Sequence, residues 1–189
     1  MAKNIVFIGF MGTGKSTIGM RVAERLKKTF IDMDREIETL NGMSVAEIFR
    51  HYGEIRFRSE ENLMARKLAR QKDLVIATGG GTVLNRENVA VLKENGILVC
   101  LDADPSDIQA RVNRKKGSRP LLKKESSLAD IEELLQAREP FYACADIRVT
   151  TTGKSMNEIV DVIIDRLKAM GYPPGNSASA RPASGGMTE

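Results

Sequence analysis

At 189 residues, 42% of them hydrophobic and 29% charged, the chain suits one globular domain with a core of its own. Its net charge of +4 is too modest to argue for a nucleic-acid partner, and no apolar stretch approaches the roughly 20 residues of a membrane span. A single histidine, His51, and two cysteines without metal-ligand spacing, Cys100 and Cys144, give little support to a His-based metal site or a Ser-His triad. The first residues, Met-Ala-Lys-Asn, lead straight into an apolar run and do not resemble a signal peptide. A reduced, cytoplasmic chain is expected, with Cys100 a buried thiol and His51 on a helix surface, although two cysteines leave a disulfide open.

The first predicted strand, 4–8, runs into Gly9-Phe10-Met11-Gly12-Thr13-Gly14-Lys15-Ser16, followed by a helical pattern over 17–28. This fits G-x-x-x-x-G-K-[ST] between strand and helix, the context a phosphate-binding loop requires. Glycines let successive backbone N–H groups approach a phosphate without a Cβ in the way, and the helix N-terminus adds donors and positive dipole. Lys15 is expected at the β/γ-phosphates and the Ser16 hydroxyl on Mg²⁺. A chance glycine turn is the alternative, and the flanking pattern weighs against it. A nucleoside triphosphate is the predicted ligand.

A second strand over 29–32 ends on Asp32-Met33-Asp34. In extended chain these carboxylates share one side. One near Mg²⁺ acts through water, and the other orients or deprotonates an acceptor hydroxyl. Capping of a helix over 35–40 is an equal alternative for the pair. Helix starts are marked at Ser44-Val-Ala-Glu47, Ser127-Leu-Ala-Asp130 and Ser155-Met-Asn-Glu158, each with a hydroxyl three residues before a carboxylate. On the helix carrying Phe57-Arg58-Ser59-Glu60-Glu61, Arg58 suits either a bidentate grip on a substrate carboxylate or an i,i+3 pair with Glu61.

A third strand, 74–78, leads into Gly79-Gly80-Gly81, either a backbone platform for a small polar substrate or a plain loop. Asn85 caps the segment that ends at Gly96, and Pro105 begins the helix carrying Arg111 after a fourth strand over 97–102. From Arg111 to Lys124 the chain is basic with no acidic residue and no aromatic. That suits closure over a triphosphate or a solvated loop better than nucleic acid, which needs stacking platforms. Arg138 precedes Pro140, which ends or kinks its helix nearby. A fifth strand, 146–150, and a helix stopped by Gly171 complete a domain over 1–171. The Pro/Gly/Ser-rich tail, 172–189, is expected to be disordered. Alternating strands and helices predict an α/β fold with a parallel sheet covered on both faces, and ligands beyond the carboxyl ends of its strands.

Together these pieces resemble the shikimate kinases, small members of the nucleoside-monophosphate-kinase-like P-loop group, over about residues 4–167. The landmarks are the loop at 9–17, Phe-Ile-Asp-Met-Asp at 30–34, Ile-Phe at 48–49, Gly-Glu at 53–54 and Phe-Arg-Ser-Glu-Glu at 57–61. Gly-Gly-Gly at 79–81, Arg-Pro-Leu-Leu at 119–122 and Arg-Glu-Pro-Phe-Tyr at 138–142 complete them. The resemblance implies ATP-dependent phosphorylation of the 3-hydroxyl of shikimate, toward chorismate and the aromatic amino acids. It implies a five-stranded parallel sheet, an acceptor-binding subregion at about 33–61 and a lid at about 112–125 that moves on ligand binding. By the same resemblance, Gly12, Thr13, Gly14, Lys15, Ser16 and Thr17 hold phosphates, Ser16 binds Mg²⁺, and Asp32 supports the metal through water. Asp34 binds the shikimate hydroxyls and acts as base. Arg58, braced by Glu61, and Arg138 grip the carboxylate beside the backbone of Gly79, Gly80 and Gly81. Arg119 reaches the ATP phosphates and joins Lys15 and Asp34 in catalysis, and Arg111 lies near the adenine. A kinase for gluconate or a nucleoside monophosphate is the nearest alternative, although Asp34 repels a second phosphate. A nucleotide-dependent switch or nucleic-acid-binding ATPase is the other, and the compact length weighs against it. A monomer acting on small molecules, without nucleic-acid or membrane partners, is expected.

Overall fold

Short apolar runs buried on both sides become the strands of the structure, a computed structural model that describes residues 3–114 and 127–173. These strands are β1 (Asn4–Ile8), β2 (Thr29–Asp32), β3 (Leu74–Ala77), β4 (Gly96–Asp102) and β5 (Ile147–Thr150). They form one parallel sheet in the order β2-β3-β1-β4-β5. The central strand β1 pairs Phe7 with Ala77 on one side and Ile8 with Cys100 on the other. Its C-terminal end therefore opens at the middle of the sheet, where α/β proteins bind ligands.

Seven α-helices are described: α1 (Lys15–Leu26), α2 (Met33–Asn41), α3 (Val45–Ala69), α4 (Arg86–Glu94), α5 (Pro105–Arg114), α6 (Leu128–Tyr142) and α7 (Met156–Ala169). The alternation of β1 divides them into two layers. Ile5 and Phe7 face α1 and α7 through Ile18, Val22, Ile163 and Leu167. Val6 and Ile8 face the other layer, where Ile37, Phe57, Leu92, Ile108 and Ile131 converge. Capping serines 44, 127 and 155 each form the reciprocal box with the carboxylate three residues on. Asn85 caps α4, and Gly171 follows α7 at φ 77°.

Several boundaries differ from the sequence expectation. Helix α1 starts at Lys15 and stops at Leu26, because Lys27 turns left-handed (φ 53°) and returns its N–H to Ala23 and Glu24. This frees Lys28 to reach Asp73 at 2.7 Å. Strand β3 ends at Ala77, with the Thr78 hydroxyl and N–H both donating to the Phe7 carbonyl. Asp146 precedes β5 and fastens its start by accepting from the Leu98 N–H at 2.8 Å. Helix α3 is broken at Gly53 (φ 79°, ψ 175°), an interruption the sequence did not announce.

Both cysteines are free thiols, and burial pushes that of Cys100 well up, as for an unreactive side chain. His51 is exposed on α3. Tyr172, assigned to the tail, is instead buried against the α1–α7 layer, and its hydroxyl donates to the Lys3 carbonyl. An aromatic ring with a place in the core outweighs the composition of its neighbours. Expected lid residues 112–114 form the end of α5; the remainder of the lid, Arg119 included, and tail residues 174–189 lie outside the described residues.

Candidate active site

The loop after β1 passes so close to β4 that a Cβ on Gly9 (φ 133°) would stand 2.4 Å from the Leu101 carbonyl oxygen. Only glycine lets the chain turn there. The Thr13 hydroxyl donates to the Phe10 carbonyl at 2.8 Å, closing the loop on itself. Gly14, as N-cap, supplies no side chain to the first amides of α1, which leaves them for an anion. Lys15 is 8% exposed and donates to the carbonyls of Gly9 (2.8 Å) and Phe10 (2.9 Å). Its ammonium thus stays over the concave face of the loop. Ser16 and Thr17 are exposed beside it. Arg111 of α5 donates to the Gly12 carbonyl (3.2 Å) and the Thr151 hydroxyl (3.3 Å), which ties it to the flank of the loop.

Asp32 and Asp34 do not share the side of an extended strand. The chain turns into α2 at Met33, and Asp32 Oδ1 caps that helix by accepting from the N–H groups of Asp34 and Arg35. Capping therefore accounts for Asp32 and not for Asp34. Asp34, in the first helical turn, points inward, and its buried Oδ1 has no hydrogen-bond partner among the described residues. Burial first, then the charges of Glu61, Asp32 and Glu38, push its pKa up to about 7 against the pull of Lys15. An uncompensated buried carboxylate oxygen is costly, and such atoms mark places kept for a ligand or a reaction.

Helix α3 brings Arg58 and Glu61 to the same place. The i,i+3 pair expected for Arg58 is present: it pairs with fully buried Glu61 and also donates to Glu54 at 3.1 and 2.9 Å. Glu61 is further held by the Thr82 hydroxyl at 2.7 Å. The triple glycine fits between these groups. A Cβ on Gly79 would stand 2.6 Å from Glu61 Oε1 and 2.8 Å from Asp34 Oδ1, and one on Gly81 would stand 2.5 Å from an Arg58 nitrogen. From the opposite side, α6 supplies Arg138, which donates to the Gly80 carbonyl at 3.4 Å and lies 5.3 Å over the Phe10 ring. Asp34, Arg58, Gly79, Gly81 and Glu61 thus form one cluster, and Arg138 joins it through Gly80.

Sequence reasoning missed two members. Thr82 follows the glycines directly and holds Glu61, while Tyr142, one helical turn after Arg138, donates to the same Gly80 carbonyl at 3.2 Å. The i,i+4 spacing of Arg138 and Tyr142 was the available signal.

The shikimate kinase family profile matches residues 11–168. The chain belongs to the shikimate kinase family. The shikimate kinase of Pelotomaculum thermopropionicum is 54% identical over 170 residues, covering 90% of this chain and 98% of that one. That of Desulforudis audaxviator is 50% identical over 187 residues, covering 99% and 96%. Among solved structures, shikimate kinase from Acinetobacter baumannii in complex with shikimate superposes with a TM-score of 0.85 at 34% identity, covering 90% of this chain and 95% of that one. A Sinorhizobium meliloti gluconokinase, at 18% identity and a TM-score of 0.55, shares the fold alone. The chain is therefore a kinase, with ATP as its co-substrate.

Membership in the shikimate kinase family makes the crowding at Gly79 testable. Gly79→Ala is expected to lower kcat/KM roughly tenfold or more, because displacing Asp34 by a few tenths of an ångström spoils alignment. Steady-state assays of the folded variant check this; wild-type kinetics would mean that the cluster tolerates a methyl group.

Proposed function

We propose that the chain transfers the γ-phosphoryl group of ATP to the 3-hydroxyl of shikimate, giving shikimate 3-phosphate and ADP. The observation that carries this assignment is the buried, unpartnered Asp34 Oδ1 between Gly79 and the Arg58–Glu61 pair, with Lys15 of the phosphate loop among the charges acting on it. A carboxylate whose pKa is about 7 can accept a proton at neutral pH. Asp34 takes the hydroxyl proton as the oxygen attacks the γ-phosphorus. The bond from that phosphorus to the β–γ bridging oxygen breaks, and its electron pair leaves with ADP.

Lys15 and the amides of Gly12, Thr13, Gly14, Ser16 and Thr17 cradle the phosphates, while Arg58 and Arg138 bind the acceptor carboxylate beside Gly79–Gly81. Arg111 lies on the adenine side, and Arg119, outside the described residues, is assigned to the ATP phosphates. Mg²⁺ fits the oxygens available: the Ser16 hydroxyl is exposed at the loop, and Asp32 uses only Oδ1 for its cap. This ion takes few protein ligands beside phosphates and water, and held by Ser16, with Asp32 acting through water, it would neutralise developing charge. The unit extends over 1–172, with Tyr172 in its core, and has an acceptor subregion at about 33–61. The same assignment makes the protein a cytoplasmic monomer without nucleic-acid partners.

Coupled ADP release with Mg-ATP tests it, using shikimate, gluconate, AMP, CMP and no acceptor in parallel. Turnover with shikimate alone and slow hydrolysis without acceptor are expected. Turnover with another acceptor overturns the substrate, and acceptor-independent hydrolysis favours a nucleotide-driven switch. Arg58→Ala should raise KM for shikimate about 10- to 100-fold, as for lost hydrogen bonds to a charged group, while KM for ATP changes little. Arg58→Lys, which keeps the charge beside Glu61 and loses the fork, separates grip from stability. A wild-type KM for shikimate in Arg58→Lys and Arg58→Ala would remove Arg58 from the site.

A further inference from the structure

Two side chains of α6 end on one backbone atom. Arg138 and Tyr142 both donate to the Gly80 carbonyl, at 3.4 and 3.2 Å, from 58 and 62 residues away. Gly80 lies in the middle of the glycine platform, with Gly79 against Asp34 and Gly81 against Arg58. The described residues contain no cis peptide, so the Gly81 N–H points opposite to the held carbonyl and away from α6. Whatever holds Gly80 therefore sets the direction of the amide that follows it.

We infer that Tyr142 is a positioning residue for the acceptor: its hydroxyl keeps the Gly80–Gly81 peptide in place when Arg138 leaves the Gly80 carbonyl to bind substrate carboxylate. This rests on the proposed role of Arg138. A guanidinium that turns to a carboxylate gains an ion pair with two charged partners and gives up a long bond to an uncharged carbonyl. Without a second donor, the carbonyl would be left unpaired at the moment the platform has to be rigid. Tyr142 is built for that duty. It is 2% exposed, its ring is part of the core, and burial pushes its phenol well up, so that it is a permanent donor. Helix α6 does not depend on the hydroxyl for its own seat. Ile131 is buried in the same core, and Glu139 is gripped at 3.1 Å by Arg148, which is itself forked onto Asp102 at 3.0 Å through two nitrogens. Removing one oxygen at residue 142 thus tests the hydrogen bond and leaves the helix docked.

The experiment is steady-state kinetics of Tyr142→Phe and Arg138→Ala, each with KM for shikimate and for ATP measured separately, alongside melting curves. For Tyr142→Phe the expected result is a KM for shikimate raised about three- to tenfold, as for one net hydrogen bond, with KM for ATP unchanged and a near wild-type melting temperature. A purely structural role would instead move both KM values together or only the melting temperature, and either result overturns the inference. An unchanged KM for shikimate in Tyr142→Phe does so too, and leaves the role of Arg138 standing. An unchanged KM for shikimate in Arg138→Ala removes Arg138 from the acceptor site, and the exchange of donors with it.

Discussion

Asp34→Asn should lower kcat by about 10²- to 10⁴-fold, the range a positioned general base contributes, while leaving KM for ATP close to wild type. The substitution keeps the shape of the side chain and removes the lone pair that accepts the proton. In the wild-type enzyme, kcat/KM for shikimate should fall as pH drops through about 7, where Asp34 becomes protonated in the free protein. The residual activity of Asp34→Asn should lack that limb. Rate measurements from about pH 5.5 to about pH 8.5 on both proteins, spanning the range in which the base changes state, decide the matter. An Asp34→Asn variant with wild-type kcat, or one that keeps the acid limb, would place the base elsewhere.

The same residue makes a prediction for stability with a definite sign. Asp34 has a folded pKa of about 7, against an ordinary value of 3.8. Between those values the native state holds a proton that the unfolded chain has released, so stability falls as pH rises through the window. The contribution is fully present below about 4 and lost above about 7. The amide that replaces the carboxyl in Asp34→Asn does not titrate. The melting temperature of Asp34→Asn should therefore rise relative to wild type as pH increases across this window, and the difference should level off above it. Calorimetry at about pH 4, 6 and 8, below, within and above the window, checks this, and a constant difference would show that Asp34 titrates alike in both states. A function that requires a destabilised buried carboxylate is the usual form of the trade between stability and activity.

Much of the fold was legible because its signals are local. A strand buried on both faces is a short apolar run whatever surrounds it, and a serine three residues before a carboxylate closes a capping box with its own backbone. The phosphate loop is local in the same sense. Legibility failed where one residue served two demands or where the partner was distant. Asp32 and Asp34 looked alike, yet the turn into α2 at Met33 made one a cap and buried the other beside Gly79. Gly53 was visible as a glycine, but nothing near it marked the break in α3. Tyr142 reads as a core aromatic, which it is, and its second duty depends on a carbonyl 62 residues away. Family resemblance supplied Arg58 and Arg138 as a pair, while the structure supplied what each holds before any substrate arrives.

Lys15→Ala should cost kcat a factor of about 10² or more, in line with the loss of one electrostatic contact to developing charge, and should also raise KM for ATP. The more discriminating consequence lies on the acceptor side. Lys15 is the cation that pulls the Asp34 pKa down, against burial and three carboxylates. Removing it should shift the acid limb of kcat/KM for shikimate to higher pH, although residue 15 is assigned to the nucleotide and residue 34 to the acceptor. Lys15→Arg, which keeps a positive charge, should leave the limb closer to its wild-type position even where kcat stays low. A limb that stays in place in Lys15→Ala would mean that the two halves of the site titrate independently. A limb that moves with the charge at residue 15 would mean that the cation which handles the phosphates also sets the basicity of Asp34. One buried ammonium would then couple readiness to accept a proton with the presence of the phosphates, because an anion that draws the lysine toward itself leaves Asp34 the stronger base.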